Sequence, residues 1–139
     1  ILDLGCGAGN TGSELDFNKY HHYVGIDVSG EAIRKAQARC EKSFRCEKNV
    51  YFVHDILDYM PNKEYSVILF RESIFYLPLE KMQQSLVRLR KHLTEDGVFI
   101  VRMCDRFKYA KIVTLIEEGF DVKERYYPDG EKAIILMFS

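Results

Sequence analysis

Directly after the largely apolar run Ile1-Leu2-Asp3-Leu4, three glycines alternate with other residues in Gly5-Cys6-Gly7-Ala8-Gly9, and a fourth follows at Gly12. Glycine alone enters left-handed backbone freely, so this spacing describes a tight loop whose backbone approaches a neighbour closely. Four residues cannot by themselves separate a buried parallel strand from a helical turn, and the flanking sequence has to decide. It decides for strand. Residues 22–27 (HYVGID), 50–55 (VYFVHD), 65–70 (YSVILF) and 98–103 (VFIVRM) are short, rich in β-branched and aromatic residues, and bounded by turn formers.

Helical spacing fills the intervals. After Ser29, a suitable N-cap, Ile33, Ala36, Cys40 and Phe44 recur three and four residues apart and are expected on one buried face. Pro78 opens a second helix carrying Leu79, Met82, Leu86, Leu89 and Leu93, with a stop at Thr94-Glu95-Asp96-Gly97. Tyr109, Ile112, Val113 and Ile116 mark a third that ends near Gly119, and residues 13–20 are expected to hold a short one. The link from Asp55 to Tyr65 is too short for a crossover helix and is read as a loop or single turn. Residues 121–127 and 132–139 are strand-like and joined by Pro128-Asp129-Gly130-Glu131, a turn that makes the last two strands an antiparallel hairpin. Alternating strands and helices imply an α/β fold with a mainly parallel sheet and right-handed crossovers.

Composition narrows the function classes. A formal charge of −1 with scattered Lys and Arg provides no footprint for phosphate backbones, so nucleic acid is not the expected partner. The longest fully apolar run, residues 133–138, is far below the roughly 20 residues of a membrane span. The four cysteines form no C-x-x-C and have no zinc-finger spacing to histidine; reduced thiols, no metal site and a cytoplasmic location are expected. One domain over residues 1–139 fits the length. Because the chain opens at Ile1 rather than Met, further residues are expected before it.

Two ligand readings compete at the glycine loop. Gly7-x-Gly9-x-x-Gly12 with Asp27 twenty residues beyond Gly7 satisfies the dinucleotide fingerprint, so an NAD-dependent oxidoreductase is one alternative. Asp3, two residues before Gly5, opposes it, because a carboxylate repels a pyrophosphate and suits a ligand carrying an ammonium group.

With those residues in view, the chain resembles the class I S-adenosylmethionine-dependent methyltransferases from Ile1 to Ser139. Ile1-Leu2-Asp3-Leu4-Gly5-Cys6-Gly7-Ala8-Gly9 is similar to the family's first motif, Gly25-Ile26-Asp27-Val28-Ser29 to the second and Val53-His54-Asp55-Ile56 to the third. The resemblance implies a three-layer Rossmann-like sandwich with a seven-stranded sheet in the order 3-2-1-4-5-7-6. It also implies S-adenosylmethionine as cofactor, bound by Asp3, Gly5, Cys6, Gly7, Gly9, Asp27 (ribose hydroxyls), Val28, Asp55 (adenine amino group), Ile56 (adenine ring) and Arg71 (the carboxylate). Helices before Ile1 would then cover the site.

The segment Phe70-Arg71-Glu72-Ser73-Ile74-Phe75-Tyr76-Leu77-Pro78 borders cofactor and acceptor in that family. It lacks the Asn/Asp-Pro-Pro-Tyr and Pro-Cys patterns of base methylation, so a small-molecule acceptor is expected. Glu72 and Tyr76 are the candidate catalytic residues, beside the bland roles of a solvated charge and a packing ring. His54 is expected on the face opposite Asp55, and Cys6 as a small apolar lining residue. A non-catalytic S-adenosylmethionine-binding module is the other alternative.

Overall fold

The computed structural model describes residues 1–128, 130 and 132–139. The three residues of β1 (Leu2–Leu4) are fully buried because they form the middle of the sheet. β1 pairs in parallel with β2 (Tyr23–Asp27) on one side and β4 (Tyr65–Arg71) on the other, while β3 (Asn49–Val53) lies outside β2. β5 (Leu93–Met103) follows β4 in parallel; β7 (Ile134–Phe138) runs antiparallel to β5 and carries β6 (Val122–Tyr126) at the edge. The seven strands stand in the order 3-2-1-4-5-7-6, as expected. The expected Pro128-to-Glu131 turn includes residues 129 and 131, which lie outside the described residues.

Strand alternation assigns the two faces. Leu2, Leu4, Val24, Ile26, Ile68, Phe70, Phe99 and Val101 form the larger core with Met82, Leu86 and Leu89 of α3 (Leu79–Arg90) and Ile112 and Ile116 of α4 (Ala110–Gly119). On the other face, Tyr23 and Tyr51 pack with Ile33, Ala36 and Cys40 of α2 (Gly30–Lys42), beside α1 (Asn10–Glu14). That second helical layer sits over β1 to β3. Leu69, Ile100 and Met137, which continue the same row through β4, β5 and β7, are only partly buried.

Several boundaries differ from the sequence expectation. Ser29 caps α2 through Ala32 N, yet the helix stops at Lys42; Phe44 then takes a left-handed φ of 54° and is 88% exposed rather than part of the buried stripe. Residues 13–20 divide between the end of α1 and a 3-10 turn at Phe17–Lys19 capped by Asp16. Leu93 to Asp96 open β5 instead of ending α3, since Tyr65 pairs with Leu93 across the sheet. The expectation of four reduced thiols is corrected at Cys40 and Cys46, which are disulfide-bonded with Cα atoms 5.3 Å apart; Cys6 and Cys104 are free. Between β3 and β4 there is no helix, and Arg88 of α3 donates to the carbonyls of Ile56 and Leu57 to hold that loop. Among the described residues no helix is long and apolar enough to cross a membrane.

Close approach under the loop explains Gly25. A Cβ there would lie 2.7 Å from the Tyr51 ring and 2.9 Å from Cys6 Sγ, both held in the core. Gly25→Ala is expected to lower unfolding free energy by about 1–3 kcal/mol through overpacking. In urea titrations Gly119→Ala, where nothing lies within 4 Å, should show no such loss; equal midpoints for the two variants would contradict this packing.

Candidate functional site

The site is organised where β1 and β2 end. Gly5 N and Cys6 N both donate to Ile26 O at 2.9 Å, which turns the chain sharply out of β1. Gly5, Gly7 and Gly9 have φ of 79°, 53° and 74°, backbone that favours glycine at all three positions. Their surroundings separate their tasks. A Cβ on Gly5 would meet Ser73 at 2.4 Å and one on Gly9 would meet Ala36 at 2.9 Å, whereas a Cβ on Gly7 would project into open space. Gly5 and Gly9 are there for packing, and Gly7 leaves backbone facing the cleft.

Asp27, the last residue of β2, accepts from Gly7 N through Oδ2 and from Ser29 N through Oδ1, each at 2.9 Å. One carboxylate therefore ties the glycine loop to the start of α2, and each oxygen keeps a second lone pair for a ligand hydroxyl. With Gly5, Gly7, Val28, Asp55 and Ile56 it lines a cleft of about 510 Å³ at the carboxyl ends of the strands, the usual ligand position in open α/β sheets. Asp55 lies two residues beyond β3, not within it, and its Oδ1 accepts from Leu57 N at 2.8 Å, shaping the turn that presents Ile56. His54 stays outside this cleft, edge-on to Tyr59.

Glu72, Ser73, Tyr76 and Leu77 form the opposite wall. Glu72 adopts a left-handed φ of 59°, which costs a non-glycine residue on the order of 1 kcal/mol or more. Its carboxylate offsets that cost by ion-pairing with Arg102 and accepting from Cys104 N at 3.0 Å. Both oxygens are thus engaged, so Glu72 is not a free solvated charge. Tyr76 is 80% exposed at the rim. Ser73, which sequence reasoning did not single out, is buried and donates to Leu4 O, fastening this wall to β1. Its only sequence signal was position, two residues after Arg71 at the end of β4.

Asp3, Cys6, Gly9 and Arg71 stand behind the lining. Cys6 is buried, with desolvation pushing its thiol well up, in keeping with an apolar role. Arg71 ends β4 and directs Nη1 to Glu14 Oε2 at 2.6 Å and to Thr11 Oγ1 at 3.3 Å. Asp3 is fully buried, accepts from the Tyr23 hydroxyl through Oδ2 and leaves Oδ1 unpartnered. Burial pushes its carboxyl up to about 6, against the smaller opposing pull of Tyr23, Thr11 and Arg71.

A family model described as a methyltransferase domain matches residues 1–131. The chain belongs to that methyltransferase-domain family. This methyltransferase-family chain is 29% identical over its whole length to the tRNA N(3)-cytidine methyltransferase METTL2 of Danio rerio, of which it covers 40%. It is also 29% identical over 84% of its length to the ubiquinone biosynthesis O-methyltransferase of Rickettsia canadensis, of which it covers 47%. It thus spans less than half the length of these curated relatives. Its fold superposes with a TM-score of 0.80 on the N-methyltransferase NodS of Bradyrhizobium japonicum WM9, solved with S-adenosyl-L-homocysteine, at 20% identity over 99% of this chain and 75% of that one. An S-adenosylmethionine-dependent methyltransferase from Clostridium acetobutylicum superposes at 0.83, with 15% identity over 99% of this chain and 82% of its own.

The buried Asp3 carboxylate has a stability consequence whose sign follows from linkage. Because the folded-state value of about 6 exceeds the ordinary 3.8, folding favours the protonated acid, and stability falls as pH rises through that window. Asp3→Asn is expected to be more stable than the parent at pH 7.5 by on the order of 1–3 kcal/mol, since each tenfold change in proton affinity is worth roughly 1.4 kcal/mol. The difference should vanish near pH 4. Urea unfolding at both pH values checks this, and an Asp3→Asn variant less stable than the parent at pH 7.5 would contradict it.

Proposed function

We propose that this chain is the cofactor-binding domain of an enzyme that transfers a methyl group from S-adenosylmethionine to a nucleophile on a small molecule. The observation that carries the reading is Asp27, which clamps the glycine loop, lines the cleft and keeps a second lone pair on each carboxylate oxygen. Ribose hydroxyls would donate to it. Val28 and Ile56 would flank the adenine and Asp55 would accept from its amino group, matching an apolar slot with acids at its two ends. Asp3 keeps an unpartnered buried oxygen close to this loop, so a ligand cation relieves an existing electrostatic cost, whereas a pyrophosphate would add to it. Arg71 uses Nη1 for Glu14 and Thr11, and its planar guanidinium has further donors for the cofactor carboxylate.

When bound, S-adenosylmethionine supplies a methyl carbon already activated by its sulfonium. The task left to the protein is alignment and exclusion of water. Glu72 suits that division of labour as a positioning residue: its two oxygens are held by Arg102 and Cys104 N, so it shapes the wall rather than withdrawing the acceptor's proton. Tyr76, exposed at the rim, would touch an acceptor.

A second reading, a cytidine in RNA as acceptor, is favoured by the tRNA N(3)-cytidine methyltransferase relative. The small-molecule reading is preferred because the chain has a formal charge of −1 with Lys and Arg scattered along its sequence. Calorimetry with S-adenosylmethionine, S-adenosylhomocysteine and NAD tests the cofactor, and a methyl-transfer screen on small acceptors and RNA tests the rest. Binding of the first two and not NAD is expected, with Asp27→Ala weakening binding by about 1.5–3 kcal/mol. Heat from NAD alone would overturn the reading; tight cofactor binding by the intact natural protein without transfer to any acceptor would favour a non-catalytic module.

A further inference from the structure

Beyond the cofactor cleft, the segment that follows β5 carries an unusual surface. Phe107 is 68% exposed beside the cations Arg106 and Lys108. The Arg106 guanidinium lies 4.6 Å from the Phe107 ring centroid and 4.9 Å from that of Tyr127, so it bridges two exposed rings. This is not a loose loop. Asp105 Oδ1 accepts from Phe107 N at 3.1 Å and Lys108 N at 3.0 Å, and Arg106 N donates to Lys132 O at 2.8 Å.

The same surface reaches the methyl-transfer cleft. Tyr76 at the cleft rim packs on Phe75 with ring centroids 4.9 Å apart, and Phe75 stacks on Tyr109 at 4.3 Å with an interplanar angle of 1°. Leu77 lines the cofactor cleft together with Tyr76, and it also lines a second cavity, of about 410 Å³, with Phe107, Lys108, Tyr109 and Lys111. Leu77 is therefore shared by the walls of both recesses. The second recess has aromatic rings on rigid supports and the cations Lys108 and Lys111 in its lining. Among the described residues, Asp105 lies 3.5 Å from Lys132, and Glu72 is paired with Arg102.

Exposed rings backed by a stack favour a flat apolar ligand face, because stacking adds to simple burial. The ammonium groups of Lys108 and Lys111 in that lining favour an anion on the same ligand. We propose that this second recess, lined by Leu77, Phe107, Lys108, Tyr109 and Lys111, is the acceptor subsite, and that it takes a planar aromatic ring bearing an anionic group. This rests on the methyltransferase reading of the adjoining cleft and narrows its acceptor from small molecules in general to aromatic anions.

The test uses four probes titrated calorimetrically into protein saturated with S-adenosylhomocysteine: 4-hydroxybenzoate, cytidine 5′-monophosphate, phenol and cyclohexanecarboxylate. At least one of the two aromatic anions should bind roughly tenfold or more tightly than both phenol and cyclohexanecarboxylate, the size expected when a ring contact and a charge contact coincide. Preference for 4-hydroxybenzoate identifies a small aromatic acid as the source of that chemistry, and preference for the nucleotide identifies a nucleotide. Phe107→Ala should abolish the advantage over cyclohexanecarboxylate, and Lys108→Gln should reduce the advantage over phenol. Both positions are on the surface, so the folded protein is available in each case. Equal affinity for all four probes, no binding of any, or a preference unchanged in both variants would overturn the proposal. Failure of S-adenosylhomocysteine itself to bind is read separately, as failure of the cofactor assignment; the same probes on the ligand-free protein then judge the subsite alone.

Discussion

The carboxylate of Asp27 is the contact on which the arrangement of this molecule's cleft depends. Parallel pairing of β1 with β2 brings the end of each strand to the same edge of the sheet, and Ile26 O, one residue earlier, receives the amides of Gly5 and Cys6. Asp27 then takes the amide of Gly7 on one oxygen and that of Ser29 on the other. Hydrogen bonds to a charged acceptor contribute about 1.5–3 kcal/mol each. Two of them on one side chain fix the glycine loop relative to α2 and so hold one wall of the cleft.

Packing beneath the loop serves the same end at a cost. Tyr51 occupies the space that side chains on Gly9, Gly12 and Gly25 would need, and Asn49, joined to Tyr20, donates to Gly12 O at 2.9 Å. These contacts leave the loop little freedom. The expense is concentrated at Asp3, a carboxyl sealed in the middle of the sheet with one oxygen unpartnered. Such a group is destabilising in an empty protein and useful in one that binds a cation, a pattern in which local strain marks function. Glu72 is a second instance, with left-handed backbone held in place by Arg102.

Strand existence and the acids at strand ends were legible because each depends on local signals, β-branched runs and glycine spacing, whereas strand order followed only from the family resemblance. Asp27, Asp55, Gly7 and Ile56 all meet at one cleft. What escaped was set by tertiary partners. Leu93 obeys the helical spacing of α3 and still pairs with Tyr65, because a sheet neighbour outweighs propensity. Phe44 fits the stripe of α2, but the helix ends two residues before it. Arg71 was expected to meet the cofactor carboxylate and Glu72 the acceptor, and their partners Glu14 and Arg102 lie 57 and 30 residues away in sequence. Ser73, whose neighbour is a backbone carbonyl of β1, had no pattern to announce it. Arg88 falls within the expected helix, and no sequence pattern links it to the Ile56 and Leu57 carbonyls that it braces.

A crystal structure of the protein grown with S-adenosylhomocysteine tests the central claim most directly, since that claim concerns one carboxylate making protein and ligand contacts together. The account predicts that Asp27 keeps the Gly7 N and Ser29 N bonds near their present 2.9 Å while both ribose hydroxyls donate to its remaining lone pairs. A ligand seated elsewhere, or an Asp27 that must leave Gly7 to reach the ribose, would contradict it.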